Sequence, residues 1–288
     1  MKRVPPKLSV LVLVKDEEAR LPRFFAALSQ LRLPHEVVLV DSGSRDKSVA
    51  LGRRAGARVL RRPWKGFAET RNLAFAECKA PWILVLDADE NPDGALLAAI
   101  ERAVTLEPAG LWAVNRLNYF LGTPIRHGGW QPDRHLRLFR QGEARFNTRV
   151  IHEGMEPVRA GAVVRRLDGL LLHHSYPDLS GYLARLNRYT TLQAQELQQR
   201  QGSRPTTAVL RALSDPPLTF LKMYVLKAGF LDGGLGLVLA LLSASSTFWK
   251  YAKWWQLGWR AQGGEAGIPW PLRDGARTPT LGTPEDYL

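Results

Sequence analysis

The first 105 residues alternate between two hydrophobic periods, and this alternation restricts the fold more than any other feature of the sequence. Four short apolar runs are rich in Val, Leu and Ile, and each is followed along the chain by a segment with apolar residues at helical spacing. The strands are predicted at 8–14, 35–44, 58–62 and 82–87, and the helices at 17–31, 44–57, 67–78 and 92–104. Pro92 stands in the first turn of the last predicted helix. Strands that alternate with helices and are apolar on both faces predict a parallel, doubly wound α/β sheet.

Carboxylates stand where two of these strands end. Asp41 follows the second strand, while Asp87 and Asp89 follow the fourth. Ligands of such sheets bind beyond the carboxyl ends of the strands, so we expect these side chains to face one crevice. Two carboxylates one residue apart offer the hard oxygen ligands that Mg²⁺ and Mn²⁺ prefer. An isolated Asp-x-Asp is common by chance, and the alternative is a solvated turn that caps the next helix.

The charge and the cysteine content limit the class of protein. A net charge of +13 and a pI near 10.2 predict an anionic partner: nucleic acid, acidic lipid or a phosphorylated substrate. Cys78 is the only cysteine, which excludes an internal disulfide framework and a cysteine-based zinc site. The first apolar run, residues 8–14, ends in Lys-Asp-Glu-Glu rather than at a cleavage site. We interpret it as a first strand and expect a cytoplasmic protein.

The remainder of the chain differs in composition from the first part. Residues 110–176 read as short strands and loops rich in Gly, Arg and His, and residues 178–202 as one helix. Residues 203–260 are rich in Leu, Gly and Trp, with seven Lys or Arg, two Asp and no Glu. The last residues, rich in Gly, Pro and Thr, read as a loose tail.

Four stretches, taken together, resemble the family 2 glycosyltransferases of the GT-A fold. They are LSVLVLVKDEE, VVLVDSGSRDKS, KGFAETRNLAFAECKAPWILVLDADE and RVIHEG. Two later stretches, HGGWQPDRHLRLFR and LKMYVLKAGFLDGGLGLVLA, are similar to the subgroup around the lipopolysaccharide inner-core β-1,4-glucosyltransferases. The resemblance runs from about residue 8 to residue 255. It implies a Rossmann-like nucleotide-sugar-binding domain with a helical C-terminal extension.

The resemblance also implies the reaction and a donor site. The enzyme would be inverting and metal-dependent. It would move a hexose, with glucose as the first candidate, from a UDP-sugar to an envelope glycolipid or saccharide such as lipopolysaccharide core. The implied cofactor is Mg²⁺ or Mn²⁺. The implied donor-site residues are Lys15, Glu17 and Asp41 around the nucleotide, Arg71 over the uridine or diphosphate, Asp87 on the ribose or a metal-bound water, and Asp89 on the cation.

The general base and the acceptor contacts are implied in the same way. Glu153 in VIHEG takes the position of the base that deprotonates the acceptor hydroxyl, and the alternative is a surface glutamate. His173 would complete the metal shell, although a structural role is open for it and for His174. The implied acceptor contacts are Trp130, Asp133 and Arg137. Trp130 would stack on a sugar and Arg137 would bind a phosphate. The alternative for either residue is packing or a salt bridge.

The C-terminal segment suggests a membrane surface. Its lysines alternate with Phe, Tyr and Trp, a pattern typical of interfacial segments that meet anionic lipid. The apolar stretch between Asp232 and Lys250 is shorter than a membrane span, and the alternative is a helical cap on the catalytic domain. We expect a catalytic domain at 1–176, a membrane-associating extension at 177–262 and a tail at 263–288. The protein would then act at the inner face of the cytoplasmic membrane.

Two other classes of protein are alternatives to this function. A nucleotidyltransferase also uses strand-end carboxylates, but the acidic VKDEEARLP after the first strand is not the basic, Gly-rich phosphate loop expected there. A basic nucleic-acid-binding protein is the second alternative. The positive charge is not gathered into a recognisable nucleic-acid module, so no nucleic-acid partner is expected.

Overall fold

A computed structural model describes residues 5–107, 110–147 and 154–261, without the side chain of Phe67. The described chain divides into two compact units. The first contains the described residues up to Leu117 and those from Pro132 to His174. The second contains Asn118–Gln131 and the described residues from Ser175 onward. The domain limits expected from the sequence stay a prediction, and the proposed tail lies outside the described residues.

The first unit is built on four parallel strands, paired in the order β3-β2-β1-β4. They are β1 (Leu8–Val14), β2 (His35–Asp41), β3 (Arg58–Arg61) and β4 (Trp82–Asp87). Asp41 lies opposite Val14 of β1, and Asp87 lies opposite Leu13. The two aspartates therefore stand at the same edge of the sheet, as predicted. The prediction of a parallel α/β sheet is confirmed.

Helices cover both faces of these strands. They are α1 (Leu21–Leu28), α2 (Ser48–Arg54), α3 (Phe67–Phe75) and α4 (Gly94–Leu106). Val10 and Val12 of β1 belong to one buried cluster together with residues of α1 and α4. Leu11 and Leu13 belong to a second cluster together with residues of α3. This burial on both faces explains why β1 and β4 are continuously apolar.

Three predicted helix starts were wrong, among them that of α2, which was expected from residue 44 and begins at Ser48. Helix α1 was expected from residue 17 and begins at Leu21, because the preceding backbone N–H groups bond to side chains of another loop. Helix α4 was expected with Pro92 in its first turn. Pro92 instead ends a short strand, β5 (Glu90–Pro92), and the Asp93 side chain caps the helix by accepting from Leu96 N at 2.8 Å.

An antiparallel half continues the sheet beyond β4. Its strands follow in the order β8 (Arg134–Arg140), β6 (Leu111–Phe120), β11 (Val164–Tyr176) and β5. Strand β7 (Thr123–Pro124) pairs with β6, while β9 (Ala144–Phe146) and β10 (Met155–Pro157) form a separate two-stranded sheet. Strands are thus present between 110 and 176 as expected, although β6 and β11, with 10 and 13 residues, are not short. Residues of β11 pair with β5, which brings His173 opposite Glu90.

A glycine allows α4 to approach β11 closely. Gly169 has a φ of +91°, and a Cβ atom there would lie 2.1 Å from the backbone N of Leu96. Only a residue without a side chain permits this contact. Because Leu96 is in the first turn of α4, Gly169 fixes where the helix that follows Asp89 can begin.

The second unit is helical. It contains α5 (Leu179–Gln201), α6 (Pro205–Leu221), a π-helical turn at Lys222–Leu226, a 3₁₀ turn at Gly229–Asp232 and α7 (Gly233–Ala261). The predicted helix at 178–202 corresponds to α5. Segment 203–260, which was not subdivided from the sequence, forms an antiparallel hairpin of α6 and α7. Thr219 lies 3.3 Å from Thr247, oxygen to oxygen, at one end of that hairpin, and Ala208 packs in one cluster with Trp254 toward the other.

Within the described residues, one helix is long and apolar enough to cross a membrane, judged by length and composition alone. It covers Gly229–Ala261, and 22% of its most apolar window is buried. The expectation of a segment too short to span took Asp232 and Lys250 as its limits. The continuous helix extends past Lys250, so length alone does not decide the question.

Candidate functional site

Two loops at the carboxyl ends of β1 and β2 are bound to each other by reciprocal hydrogen bonds. The backbone N–H groups of Glu17 and Glu18 donate to Ser48 Oγ at 2.8 Å and Asp46 Oδ2 at 2.9 Å. In return Arg45 N donates to Asp16 Oδ1 at 2.7 Å. Asp16 has a φ of +54°, a left-handed conformation that aspartate tolerates better than most residues. These bonds place the Glu17 side chain beside the strand ends.

Asp41 lies in an open groove of about 400 Å³ next to β2 and β3. The groove is lined by Ser42, Gly43, Ser44, Arg61, Arg62 and Pro63 as well as Asp41. Asp41 is 3% exposed and accepts a hydrogen bond from Ser44 N at 3.0 Å, which orients its carboxylate. A buried acceptor beside two arginines suits a ligand that carries both hydrogen-bond donors and negative charge. Lys15, also predicted here, is half-buried after β1.

Asp87 is held by two arginines. Arg71 of α3 bonds to Asp87 Oδ1, and Arg137 of β8 lies 3.2 Å from Asp87 Oδ2. Arg137 also pairs with the fully buried Glu90, whose other oxygen accepts from Asp87 N at 3.0 Å. Burial would raise the pKa of Asp87, but Arg71 and Arg137 outweigh it and hold that pKa well below its usual range. Asp87 is therefore a fixed anion.

Asp89 has a different environment from Asp87. Its Oδ2 lies 3.5 Å from His173 Nε2, and its backbone oxygen accepts from His174 N at 2.9 Å. Burial favours protonation of Asp89, yet His173 keeps its pKa below the ordinary value. Burial raises the pKa of Glu17, and the charges of Asp89 and Asp87 raise it further against the opposing effect of Arg20. Glu17, Asp87 and Asp89 thus lie close enough to interact electrostatically.

The donor atoms around Asp89 are compatible with a divalent cation. Metal–oxygen distances of about 2.0–2.1 Å place adjacent ligands of one octahedral ion roughly 2.9 Å apart. The 3.5 Å between Asp89 Oδ2 and His173 Nε2 is longer, so the two side chains would approach each other by roughly 0.6 Å around a cation. No group of three or more His, Cys, Asp or Glu side chains forms a metal cluster in the described residues. Beyond Asp89 and His173 of the described residues, substrate phosphates and water are the ligands that magnesium sites commonly use.

Helix α3 connects this site to the segment before the predicted base. Asn72 bonds to the backbone of Phe146 in both directions, at 2.8 Å and 3.0 Å. The guanidinium of its neighbour Arg71 lies 5.0 Å from the centroid of the Phe146 ring. Asn147 N donates to Gly154 O at 3.0 Å, so residue 154 lies beside residue 147. Glu153 and His152 lie outside the described residues.

Of the three predicted acceptor contacts, Arg137 and Asp133 belong to one network of ion pairs in the first unit, and Trp130 belongs to the second unit. Arg137 is buried in the ion pairs with Asp87 and Glu90. Asp133 pairs with Arg116 at 2.8 Å and His135 at 2.7 Å, and Arg116 approaches Glu90 at 3.4 Å. Trp130 belongs to the second unit, where it packs edge-on against Phe120 and Tyr176. The acceptor role of these residues stays a prediction.

Several site residues were missed in the sequence. Glu90 was not predicted as a site residue, although it is fully buried between Arg137 and Arg116. Nothing in the local pattern around Arg116 points to Glu90, because the two are brought together only by strand pairing. Asn72 follows Arg71 directly, and a polar residue on a short helix carries no signal of its backbone partner.

Parallel strands with acidic carboxyl ends, followed by an antiparallel extension that returns a histidine to those ends, define a mixed α/β fold of the GT-A type. A mannosyltransferase from Pyrobaculum calidifontis, PcManGT, solved in complex with GDP-Man and Mn²⁺, has this fold. It matches with a TM-score of 0.51 and 17% identity over 87% of either chain.

Sequence comparison gives the family. The profile of Glycosyl transferase family 2 matches residues 9–165. The lipopolysaccharide core biosynthesis glycosyltransferase LpsC of Rhizobium meliloti (strain 1021) is 32% identical over 260 residues, which cover 85% of this chain and 93% of LpsC. An uncharacterized glycosyltransferase of Rickettsia bellii (strain RML369-C) is 27% identical over 86% of this chain and 85% of its own length. The chain belongs to the family 2 glycosyltransferases and is related to enzymes of lipopolysaccharide core biosynthesis.

Proposed function

We propose that the protein is an inverting, metal-dependent hexosyltransferase that moves glucose from a UDP-sugar to an envelope glycolipid. The observation that carries the proposal is the arrangement of Asp41, Asp89 and Glu17 at one edge of the parallel strands, with His173 3.5 Å from Asp89. The edge combines a groove suited to a nucleoside with an adjacent pair of metal-binding atoms. Both are needed to hold a sugar attached to a diphosphate.

The nucleotide occupies the groove beside Asp41 in this proposal. Asp41 accepts hydrogen bonds from the base or ribose, and Arg61 and Arg62 supply positive charge at the rim. Lys15 and Glu17 line the same region from the loop after β1. Arg71 faces the uridine or diphosphate, and Asp87 keeps Arg71 in place as well as meeting the ribose.

Asp89 and His173 would hold the divalent cation, Mg²⁺ or Mn²⁺. When bound, the cation supplies Lewis-acid stabilisation to the diphosphate that leaves the sugar. Asp89 is suited to this role because it stays ionised beside His173, as its lowered pKa indicates. Asp87 is less suited, since both of its oxygens already face arginines.

The acceptor hydroxyl loses its proton as it attacks the anomeric carbon from the face opposite the diphosphate. Glu153 accepts that proton as general base, which gives inversion at the anomeric carbon. Trp130, Asp133 and Arg137 are the proposed acceptor contacts. A glycolipid acceptor such as lipopolysaccharide core is supported by the 32% identity with LpsC over most of both chains. Such an acceptor places the reaction at the inner face of the cytoplasmic membrane.

Calorimetric binding of UDP and UDP-glucose, with and without Mn²⁺, tests the donor site. We expect metal-dependent binding by the wild type and its loss in Asp89→Ala, because one of two protein ligands is removed. The matched control is Asp168→Ala, an exposed aspartate of β11 that should bind as the wild type does. No binding of any uridine nucleotide by the wild type would reject the UDP-sugar donor. Metal-dependent binding retained in Asp89→Ala would reject Asp89 as a ligand.

The variant Glu153→Gln tests the base separately from the donor site. Turnover should fall roughly a hundredfold or more, the typical contribution of general base catalysis, while UDP-glucose binding stays unchanged. Initial rates with a purified lipopolysaccharide core acceptor and UDP-glucose measure the effect. Turnover near that of the wild type would remove Glu153 as the base and leave the donor assignment intact.

A further inference from the structure

Exposed apolar side chains are concentrated on the helical hairpin formed by α6, α7 and the turns between them. Of the 23 large apolar side chains that are exposed in the described residues, 15 lie between Pro205 and Ala261. Monomeric proteins seldom expose so much contiguous apolar surface without using it to bind something. We call the exposed side of this hairpin the hairpin surface.

The hairpin surface is organised at helical spacing. On α7, Leu237, Leu241, Phe248, Trp255 and Trp259 are exposed, at intervals of four or seven residues. Side chains at these intervals form one stripe along a helix. From Leu237 to Trp259 the stripe is about 33 Å long at 1.5 Å per residue, which is most of the length of α7. A stripe of this length is suited to an extended flat partner rather than to a small ligand.

Helix α6 and the turns extend the same surface. Leu210, Leu213, Pro217 and Leu221 are exposed on α6 at intervals of three or four residues. Leu226, in the π-helical turn, is 75% exposed. An exposed leucine in the turn thus stands between the exposed apolar residues of α6 and those of α7.

The charge of the hairpin is positive. Residues 205–261 contain six Lys or Arg and two Asp. Lys222 and Lys227 are exposed on either side of Leu226. Asp232 contributes little to the exposed charge, because its side chain is only 9% exposed, and it accepts from His127 N at 2.8 Å and from His127 Nδ1 at 2.9 Å. Lysines beside apolar and aromatic side chains favour anionic lipid as the partner.

The connections of the hairpin argue against a helix that crosses the bilayer. At one end, Gly128 N donates to Lys227 O at 2.9 Å. The loop around Gly128, residues 125–131, is not helical and contains Arg126, His127 and Gln131. Such irregular polar backbone is not stable within a hydrocarbon core. The turn at Lys227, which is bonded to this loop, therefore has to stay outside the core.

The other end of α7 is attached to a polar helix. Lys253 Nζ donates to Asn187 Oδ1, Thr190 Oγ1 and Thr191 Oγ1 of α5 at 2.7–2.8 Å. Helix α5 carries polar residues on most of its surface and would not be stable in lipid. Both ends of α7 are thus held outside the hydrocarbon core, and the helix lies along the interface.

We propose that the hairpin surface binds an anionic bilayer surface with α6 and α7 parallel to the membrane plane. The inference deepens the proposed function, on which it rests for the expectation of a lipid-linked acceptor. It commits to a lipid surface because the exposed stripe is long and open and the flanking charge is positive.

Co-sedimentation with vesicles tests the proposal on the full chain. Vesicles of phosphatidylcholine alone are compared with vesicles that also contain phosphatidylglycerol. Wild-type protein should bind the anionic vesicles, and added salt should weaken that binding. Lys222→Gln with Lys227→Gln should weaken it roughly 25-fold, at about fivefold for each basic residue. The control Arg53→Gln with Arg54→Gln alters two exposed arginines of α2 and should bind as the wild type does.

A second pair of variants tests the contribution of apolar side chains to vesicle binding. Leu226→Gln should weaken binding about tenfold or more, because a largely exposed leucine loses its burial in lipid. Leu106→Gln replaces a leucine of α4 that is 74% exposed and should have no effect. Both changes are at exposed positions, so circular dichroism spectra should match that of the wild type.

The orientation is tested by depth. A fluorophore is attached at Leu226→Cys, Leu241→Cys or Trp255→Cys, and lipids that carry quenchers at known depths are added. A helix parallel to the membrane gives one shallow depth at all three positions. A series of different depths would overturn the parallel orientation in favour of a crossing helix.

Two outcomes would overturn the lipid surface itself. Absence of binding to anionic vesicles is one. The other is a wild-type dimer that Leu226→Gln dissociates without any change in vesicle binding, which would assign the surface to a second copy of the chain. Calorimetry with UDP-glucose on the same variants separates this failure from that of the proposed function, since donor binding should be unaffected by every hairpin variant.

Discussion

Two aspartates of one motif have different tasks because their neighbours differ. Asp87 is paired with Arg71 and Arg137, and its fixed charge holds those side chains in position. Asp89, two residues later, meets His173 instead. Sequence spacing predicts both as a pair of metal-binding carboxylates, but the arginines come from α3 and β8 and leave only one of the two aspartates suited to a cation.

The buried ion pairs give a stability prediction at Arg137. Replacing it in Arg137→Met leaves Asp87 and the fully buried Glu90 without their shared partner. Breaking a buried pair from one side costs about 3–5 kcal/mol, and urea unfolding should show a loss of that size. Arg134→Met, at an exposed position of the same strand, should stay within about 0.5 kcal/mol of the wild type. A loss below about 1 kcal/mol in Arg137→Met would contradict the importance of this pair.

Among the secondary-structure elements, strands buried on both faces were the easiest to predict. Apolar runs correspond to β1, β2 and β4. Because these strands are parallel, Asp41 and Asp87 stand at the same edge of the sheet. The start of α1 could not be predicted, because the bonds from Glu17 N to Ser48 and from Glu18 N to Asp46 join residues about 30 positions apart and leave no local signal. Strand β5 was missed since its pairing partner, β11, lies about 80 residues later.

The contact between α4 and β11 gives a prediction about two glycines. Gly169→Ala and Gly161→Ala both place a side chain at a positive φ, +91° and +75° respectively. Only the first also creates a clash, since no atom lies within 4 Å of a Cβ at Gly161. We expect Gly161→Ala to cost about 1–2 kcal/mol, and Gly169→Ala at least about 1–3 kcal/mol more.

Denaturant unfolding of the two glycine variants measures the difference. Equal losses in the two proteins would show that α4 can shift away from β11 at little cost. In that case Gly169 would be required for its backbone conformation alone.

On the scale of the whole molecule, ligand binding should raise the free energy of unfolding. A ligand that binds only the folded state adds about 2.7 kcal/mol at a free concentration of 100 times its Kd. UDP with Mn²⁺ should therefore raise the unfolding temperature of the wild type, and a chelator should reverse the increase. Calorimetric scans measure both. An increase that persists after the metal is removed would contradict a donor site in which the cation is shared between Asp89 and the diphosphate.

The second unit includes Asn118–Gln131, a segment that precedes the end of the first unit in the chain. His127 bonds to Asp232, which is 105 residues later. At a synthesis rate of roughly 5–20 residues per second, His127 is made about 5–20 s before Asp232. The strands of the first unit can pair during that interval. We therefore expect the helical unit to be the last part of the described chain to fold during translation.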